Sequence, residues 1–213
     1  MKKTRVLRVD PHFPQGEVIR EAAQILRDAG LVAFPTETLY GLGANATDPE
    51  AIEAVFSAKG RPKEKPLIVL AGDLAMVMDL VVGVDELAWD LMNRFWPGPL
   101  TLILEAAPHL SSALTGHSGK LGLRIPASNI ALCLVRGCSF PITASSANRS
   151  GSKDPVDAQM VWQELEGTID LLLDGGRMAG TPSTLLDLTI RPPLIIRQGA
   201  VPRDLLQKMI GIR

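Results

Sequence analysis

Short apolar runs, interleaved with amphipathic stretches of unequal length, constrain this chain more than any other feature. Pro66-Leu67-Ile68-Val69-Leu70-Ala71 is too short for a buried helix and is bounded by turn residues, so it reads as a buried strand. Leu31–Phe34, Leu100–Leu104, Leu121–Ile125, Ile142–Ala144, Ile169–Leu173, Thr184–Leu188 and Leu194–Ile196 read the same way, and Arg5–Val9 alternates like an edge strand. Glu17–Arg27 places Val18, Ala22, Ile25 and Leu26 on one helical stripe, and Gly30 stops it. Asp48 followed by Pro49 is a helix start, a capping carboxylate and then proline in the first turn, for a helix reaching about Lys59. Asp85–Phe95 is amphipathic and ends at Trp96-Pro97-Gly98-Pro99, where the tryptophan reads as core packing. Helices at Asn129–Arg136, Asp157–Leu165 and Arg203–Met209 fill the remaining gaps. Together these predict one α/β domain over residues 1–213, a twisted open mixed sheet with flanking helices, and no additional C-terminal domain.

Composition narrows the partners. The formal net charge is −1, so no global basic field draws in nucleic acid and basic character must be local. No apolar run reaches the roughly 18 residues that span a membrane, and no apolar stretch follows the basic start Met1-Lys2-Lys3-Thr4-Arg5. A cytoplasmic protein is the expectation. Cys133 and Cys138 read as reduced thiols near a helix end, and His12, His109 and His117 form no metal-ligand spacing.

The local basic character lies at Lys59-Gly60-Arg61-Pro62-Lys63-Glu64-Lys65, four cations in seven residues. Far downstream, Ser145-Ser146-Ala147-Asn148 forms a polar turn just after the apolar Pro141-Ile142-Thr143-Ala144. Cations together with hydroxyl and amide groups at strand ends suit a phosphate-bearing ligand. Lys59 and Arg61 are expected at the exposed end of a helix, where neither supports the core, and Lys63 reads as a solvated charge. No P-loop is present. Gly41-Leu42-Gly43-Ala44-Asn45-Ala46 matches a dinucleotide fingerprint in the wrong context, since the next helix starts after the glycines. It reads instead as a flexible turn that lets backbone approach a ligand. Pro35–Gly43, dense in hydroxyls just past a strand, reads as a solvated loop or, since loops at strand ends bind ligands, as part of a site, with Glu37 a buried partner for one of the site cations in preference to a Mg²⁺ ligand.

Seven segments in this order resemble a known family: Pro35-Thr36-Glu37-Thr38-Leu39-Tyr40-Gly41-Leu42-Gly43, Lys59-Gly60-Arg61-Pro62, Pro66-Leu67-Ile68-Val69, Trp96-Pro97-Gly98-Pro99-Leu100-Thr101, Gly122-Leu123-Arg124-Ile125-Pro126, Ser146-Ala147-Asn148 and Pro182-Ser183-Thr184-Leu185-Leu186-Asp187-Leu188. The chain is similar, from about Gly16 to Gly199, to the YrdC/TsaC family of threonylcarbamoyl-AMP synthases, in its short single-domain form. The resemblance implies a basic concave face and a reaction of L-threonine, bicarbonate or carbon dioxide, and ATP. The products would be threonylcarbamoyl-AMP and pyrophosphate, and a partner transferase complex would use the former to modify tRNA. It implies that Lys59 and Arg61 meet phosphate oxygens. Arg61, Lys65, Lys120, Ser146, Asn148, Asp154 and Arg197 would bind ATP, with Asp154 standing where members carry a small polar residue. Arg124 would pair with the threonine carboxylate, assisted by Thr38, Ser183 and the backbone of Ala144. Leu70 stands on the threonine side where some members carry histidine. Mg²⁺ is expected to arrive with ATP and to use few protein ligands. No Ser-His-Asp pattern and no paired Cys and His is present, which suits chemistry without a protein nucleophile. Two other readings stand beside this one: a non-catalytic module binding tRNA or double-stranded RNA on the basic face, and a carbamoyl-transfer module as in larger hydrogenase-maturation proteins.

Overall fold

The structure is a computed structural model and describes residues 3–210. The chain runs β1 (Arg5–Arg8), α1 (Gly16–Arg27), β2 (Val32–Pro35), β3 (Tyr40–Gly43), α2 (Pro49–Lys59), β4 (Ile68–Leu70), α3 (Leu74–Leu80), β5 (Val81–Val82), α4 (Glu86–Phe95) and β6 (Leu100–Ala106). It continues through β7 (Lys120–Arg124), α5 (Asn129–Cys138), β8 (Ile142–Thr143), β9 (Ser145–Ser146), α6 (Ala158–Leu165), β10 (Leu171–Asp174), β11 (Thr184–Asp187), β12 (Leu194–Arg197) and α7 (Arg203–Ile210). The strands form two mixed sheets. One has the order β1-β10-β2-β3-β9; the other runs β12-β11-β6-β7-β4-β8, with β5 added alongside β6. β1 lies at an edge, parallel to β10, as its alternation predicts.

The two sheets meet where one segment changes partner. β8 pairs with β4, and two residues later β9 pairs with β3. Ala144, between them, donates its N–H to Ile68 O at 2.8 Å. Thr143, fully buried, ties the sheets again, its Oγ1 donating to Leu42 O and accepting from Ala44 N, both at 3.0 Å. The functional cleft opens at this seam.

Local chemistry explains the helix that carries the basic motif. The Asp48 carboxylate accepts from the N–H groups of Glu50 and Ala51, Pro49 occupies the first turn, and Gly60 closes α2 in the left-handed conformation at φ 56°. Helix α1 buries Ile19, Ala22, Ala23 and Leu26, a stripe turned by one position from the expected Val18-Ala22-Ile25-Leu26. The shift follows from its packing on α5, where Gly137 leaves room for Ile19 and Ala23. Trp96 is core, as expected, and its indole N–H donates to Leu100 O at 2.6 Å.

Three expectations are corrected. Tyr40–Gly43 is not a flexible turn but a buried strand, antiparallel to β2 and to β9. Its glycines serve close approach: a Cβ on Gly43 would stand 2.7 Å from Phe34 Cε1. The Thr36–Leu39 loop is buried rather than solvated, because Thr36 Oγ1 replaces water as partner, donating to Leu39 O and contacting Thr38 Oγ1, each at 2.8 Å. Lys59 is not at an exposed helix end; it is 2% exposed.

Candidate functional site

The cleft at the seam has a cavity volume of about 70 Å³. Thr38, Arg124, Ala144, Ser146, Asp154, Ser183 and Arg197 line it, all of them residues singled out from sequence, together with Thr36, Tyr40, Gly41, Ile68 and Pro182. A second depression adjoins it across Ile68 and Arg197 and brings in Arg61 and Lys120. The structure thus places nine of the sequence-chosen residues on one continuous surface.

Arg124 closes β7 and is 4% exposed. Its Nη1 forms an ion pair with Glu37 Oε1 and donates to Gly98 O at 3.4 Å, and Nη2 donates to Thr38 Oγ1 at 3.3 Å. Burial lowers its pKa and Glu37 opposes that shift, so the guanidinium stays charged. Among the described residues its Nε–H has no protein acceptor, which leaves the Nε–Nη2 edge for the cleft.

Arg197, at the end of β12, donates from Nε and Nη2 to Ser183 O at 3.2 and 3.0 Å, and from Nη2 to Ser183 Oγ at 3.3 Å. Ser183 Oγ also contacts buried Thr101 Oγ1 at 2.8 Å. Burial lowers the pKa of Arg197, and nearby Asp154 partly offsets this. Lys120 lies 3.4 Å from Asp187 Oδ2. Arg61 is half-buried and holds its own loop, donating from Nη2 to Pro66 O at 2.9 Å and from Nε to Lys65 O at 3.3 Å.

Lys59 and Asn148 lie behind the cleft wall in a knot of polar bonds. The Lys59 ammonium donates to Ser146 O, to Asn148 O at 2.6 Å and to Asn148 Oδ1 at 3.3 Å. Ser146 Oγ contacts Asn148 Oδ1 at 2.7 Å, and the Asn148 amide donates to Ser152 O and Lys153 O, both at 2.9 Å. The Lys59 carbonyl in turn accepts from Ser150 N at 2.8 Å. Burial, then the nearby Arg61 charge, push the Lys59 pKa down to about 7. The knot shapes the loop that carries Asp154 to the cleft. Lys65 is exposed on its loop, and Leu70, fully buried on β4 beside Arg124, reaches neither depression.

The family model Sua5_yciO_yrdC, described as Telomere recombination, matches residues 24–199. The chain belongs to this family. A Pyrococcus abyssi relative named threonylcarbamoyl-AMP synthase is 43% identical over 91% of this chain and 57% of its own length. One of the same name from Bacillus subtilis is 42% identical over 91% of this chain and 56% of its own. The crystal structure of P. abyssi Sua5 complexed with L-threonine superposes with a TM-score of 0.93 at 41% identity, covering 98% of this chain and 61% of that one. The chain therefore spans little more than half the length of these relatives. Its mixed α/β architecture is that of the Sua5/YciO/YrdC fold. No helix among the described residues is long and apolar enough to cross a membrane.

Sequence reasoning missed two contributors to this Sua5/YciO/YrdC site. Thr36 locks Thr38, and the signal was the Thr-x-Thr spacing at a strand exit. Thr101 fixes Ser183 Oγ from a neighbouring strand, a contact that no local pattern announces.

Proposed function

We propose that this domain forms threonylcarbamoyl-AMP and pyrophosphate from L-threonine, bicarbonate or carbon dioxide, and ATP. The observation that carries the reading is the buried Arg124, which lines the same cleft as Arg197 and Asp154 and whose Nε–H has no acceptor among the described residues. A charged guanidinium buried at a cleft is the partner a small carboxylate requires, and its fork matches carboxylate geometry. P. abyssi Sua5, similar over almost the whole chain, has been crystallised with L-threonine.

The threonine α-carboxylate sits on Arg124, with Thr38 and Ser183 at its sides. The depression carrying Arg61, Lys120 and Arg197 takes the nucleotide phosphates. The threonine amine combines with carbon dioxide and loses a proton to give a carbamate. A carbamate oxygen attacks the α-phosphorus of ATP, the bond to the bridging oxygen breaks, and pyrophosphate leaves. The nucleophile is already anionic, so the protein's work is to align it and to neutralise phosphate charge. Mg²⁺ would accompany ATP and supply further neutralisation. Asp154, the one carboxylate among the described residues that line the cleft, is the oxygen donor suited to it, since Mg²⁺ binds through one or two carboxylates plus phosphate oxygens. The product is a mixed anhydride, suited to consumption by a tRNA-modifying transferase in the cytoplasm.

The test is pyrophosphate release from ATP with Mg²⁺, bicarbonate and single amino acids. Release that requires both L-threonine and bicarbonate is expected. Release indifferent to the amino acid would sink the reading.

A further inference from the structure

We propose that Glu37 is the positioning residue of the amino-acid subsite: it fixes the Arg124 guanidinium so that the Nε–Nη2 edge meets the substrate carboxylate. The inference rests on the reading above that Arg124 receives that carboxylate.

Glu37 does not line the cleft. Its neighbours Thr36 and Thr38 do, while Glu37 lines a separate cavity on the other side of the loop, with Ser128 and Asn129. It therefore acts through another residue. One carboxylate oxygen forms the ion pair with Arg124 Nη1, and the other accepts from the backbone N–H of Ser128 at 3.3 Å. Ser128 caps the ten-residue helix α5, its Oγ accepting from Ala131 N at 3.4 Å and donating to Pro35 O at 3.2 Å. The Pro35 carbonyl thus anchors the cap to the strand that leads into Glu37. The result is a chain of contacts from the positive end of α5, through Glu37, to Arg124.

The geometry separates the two ends of the guanidinium. Glu37 and Gly98 O occupy Nη1, and Thr38 Oγ1 fixes Nη2. The side-on fork is left facing the cleft. Without Glu37 the buried cation has no fixed anion and can turn toward whichever carboxylate or water is nearest. A substrate carboxylate would then meet a guanidinium that is charged but not held, and binding would have to pay to order it.

The experiment compares wild type, Glu37→Gln and Glu37→Asp by calorimetry with L-threonine and ATP separately, and by steady-state kinetics. Glu37→Gln is expected to raise the Kd and KM for L-threonine about tenfold or more, as expected when a charge-assisted contact is lost. The ATP Kd should stay within about twofold, with a smaller change in kcat at saturating threonine. Glu37→Asp should restore part of the affinity, because it keeps the charge one methylene back; it also carries the test should Glu37→Gln not fold. Unchanged threonine affinity in a folded variant, or equal loss for both ligands, overturns the proposal. Wild type that binds ATP but no threonine overturns the underlying reading as well, an outcome distinct from wild type that binds threonine and variants that bind it equally.

Discussion

Lys59 and Arg124 are both buried cations, 2% and 4% exposed, yet they are buried by opposite means. Arg124 has a carboxylate partner, Glu37, and keeps one edge on the cleft. Among the described residues Lys59 has no carboxylate in contact; three oxygens of the Ser146–Asn148 turn surround its ammonium. The first arrangement is suited to an incoming anion. The second is internally satisfied and holds a loop in shape. Two cations that look alike in sequence thus differ in surroundings, one paired with a carboxylate at a cleft and one enclosed by the oxygens of its own loop partner.

The sharpest break in this comparison is Arg124→Ala. It removes the carboxylate clamp and leaves Glu37 without its cation. Breaking a buried pair costs about 3–5 kcal/mol, and for a chain of this size each kcal/mol moves Tm by roughly 2–4 °C. A fall in Tm of roughly 6–20 °C is expected, with L-threonine binding lost from calorimetry and ATP binding retained at low temperature. A Tm within a degree of wild type would show that Glu37 does not depend on Arg124 for its place.

Next in size is the contrast between Lys59→Ala and Arg61→Ala. Lys59→Ala strands three buried oxygens and should cost about 1–3 kcal/mol, so stability and turnover fall together. Arg61 is half-buried and, among the described residues, bonded only to its own loop. Its loss should leave Tm nearly unchanged while turnover drops about 100-fold, the cost of removing a cation from a transferring phosphate. Melting curves beside turnover decide it. If Lys59→Ala kept its Tm and lost turnover alone, Lys59 would be a ligand contact and not a staple.

A subtler separation is pH dependence. Lys59 is pushed down to about 7 by burial and by Arg61, whereas an unfolded lysine titrates near about 10.4. Between these values the unfolded chain binds the extra proton, so this group makes stability rise as pH increases from about 7 to about 10. Lys59→Met lacks the group. Denaturant titrations should show wild type gaining on the variant across that window. Parallel curves would mean that the surrounding oxygens hold the ammonium charged throughout.

Much of this was legible in the chain. Asp48-Pro49 and Gly60 bracket α2 because caps are local chemistry. Arg124 was chosen because its motif matches the arginine that the resemblance pairs with the threonine carboxylate, and the apolar strand it ends carries it to the cleft. Asp73 carried the cap signal for α3, accepting from Met76 N at 2.8 Å, but the apolar Leu74–Leu80 that follows shows no clear polar face. The glycines of β3 argued against a strand, and the tertiary approach of Phe34 explains Gly43. Lys59 meets Ser146 across 87 positions of sequence, so no local pattern could tell that its ammonium turns inward. Leu70 stands at a position the resemblance assigns to the threonine side, yet it is fully buried in the cluster that includes Phe34 and Ile142.

The smallest expected effect tests whether position in the basic loop matters at all. Lys63 lies two residues from Arg61, and its side chain is 59% exposed. Its partner is Glu53 on α2, itself 47% exposed, so the pair is screened by water. An exposed pair of this kind contributes at most about 1 kcal/mol and often nothing measurable. Lys63→Ala should therefore keep Tm within roughly 1–2 °C, and turnover within about twofold, since Lys63 lines neither depression. The same variant assayed at low and high salt adds a second reading. A distant cation that merely steers ATP loses its influence as the Debye length shrinks from about 10 Å at 0.1 M to about 3 Å at 1 M. A turnover loss near that of Arg61→Ala, persisting at high salt, would put Lys63 in contact with phosphate and make the whole loop a binding surface. A near-silent variant leaves Arg61 as the loop's working cation, with its neighbours a staple on one side and a solvated charge on the other.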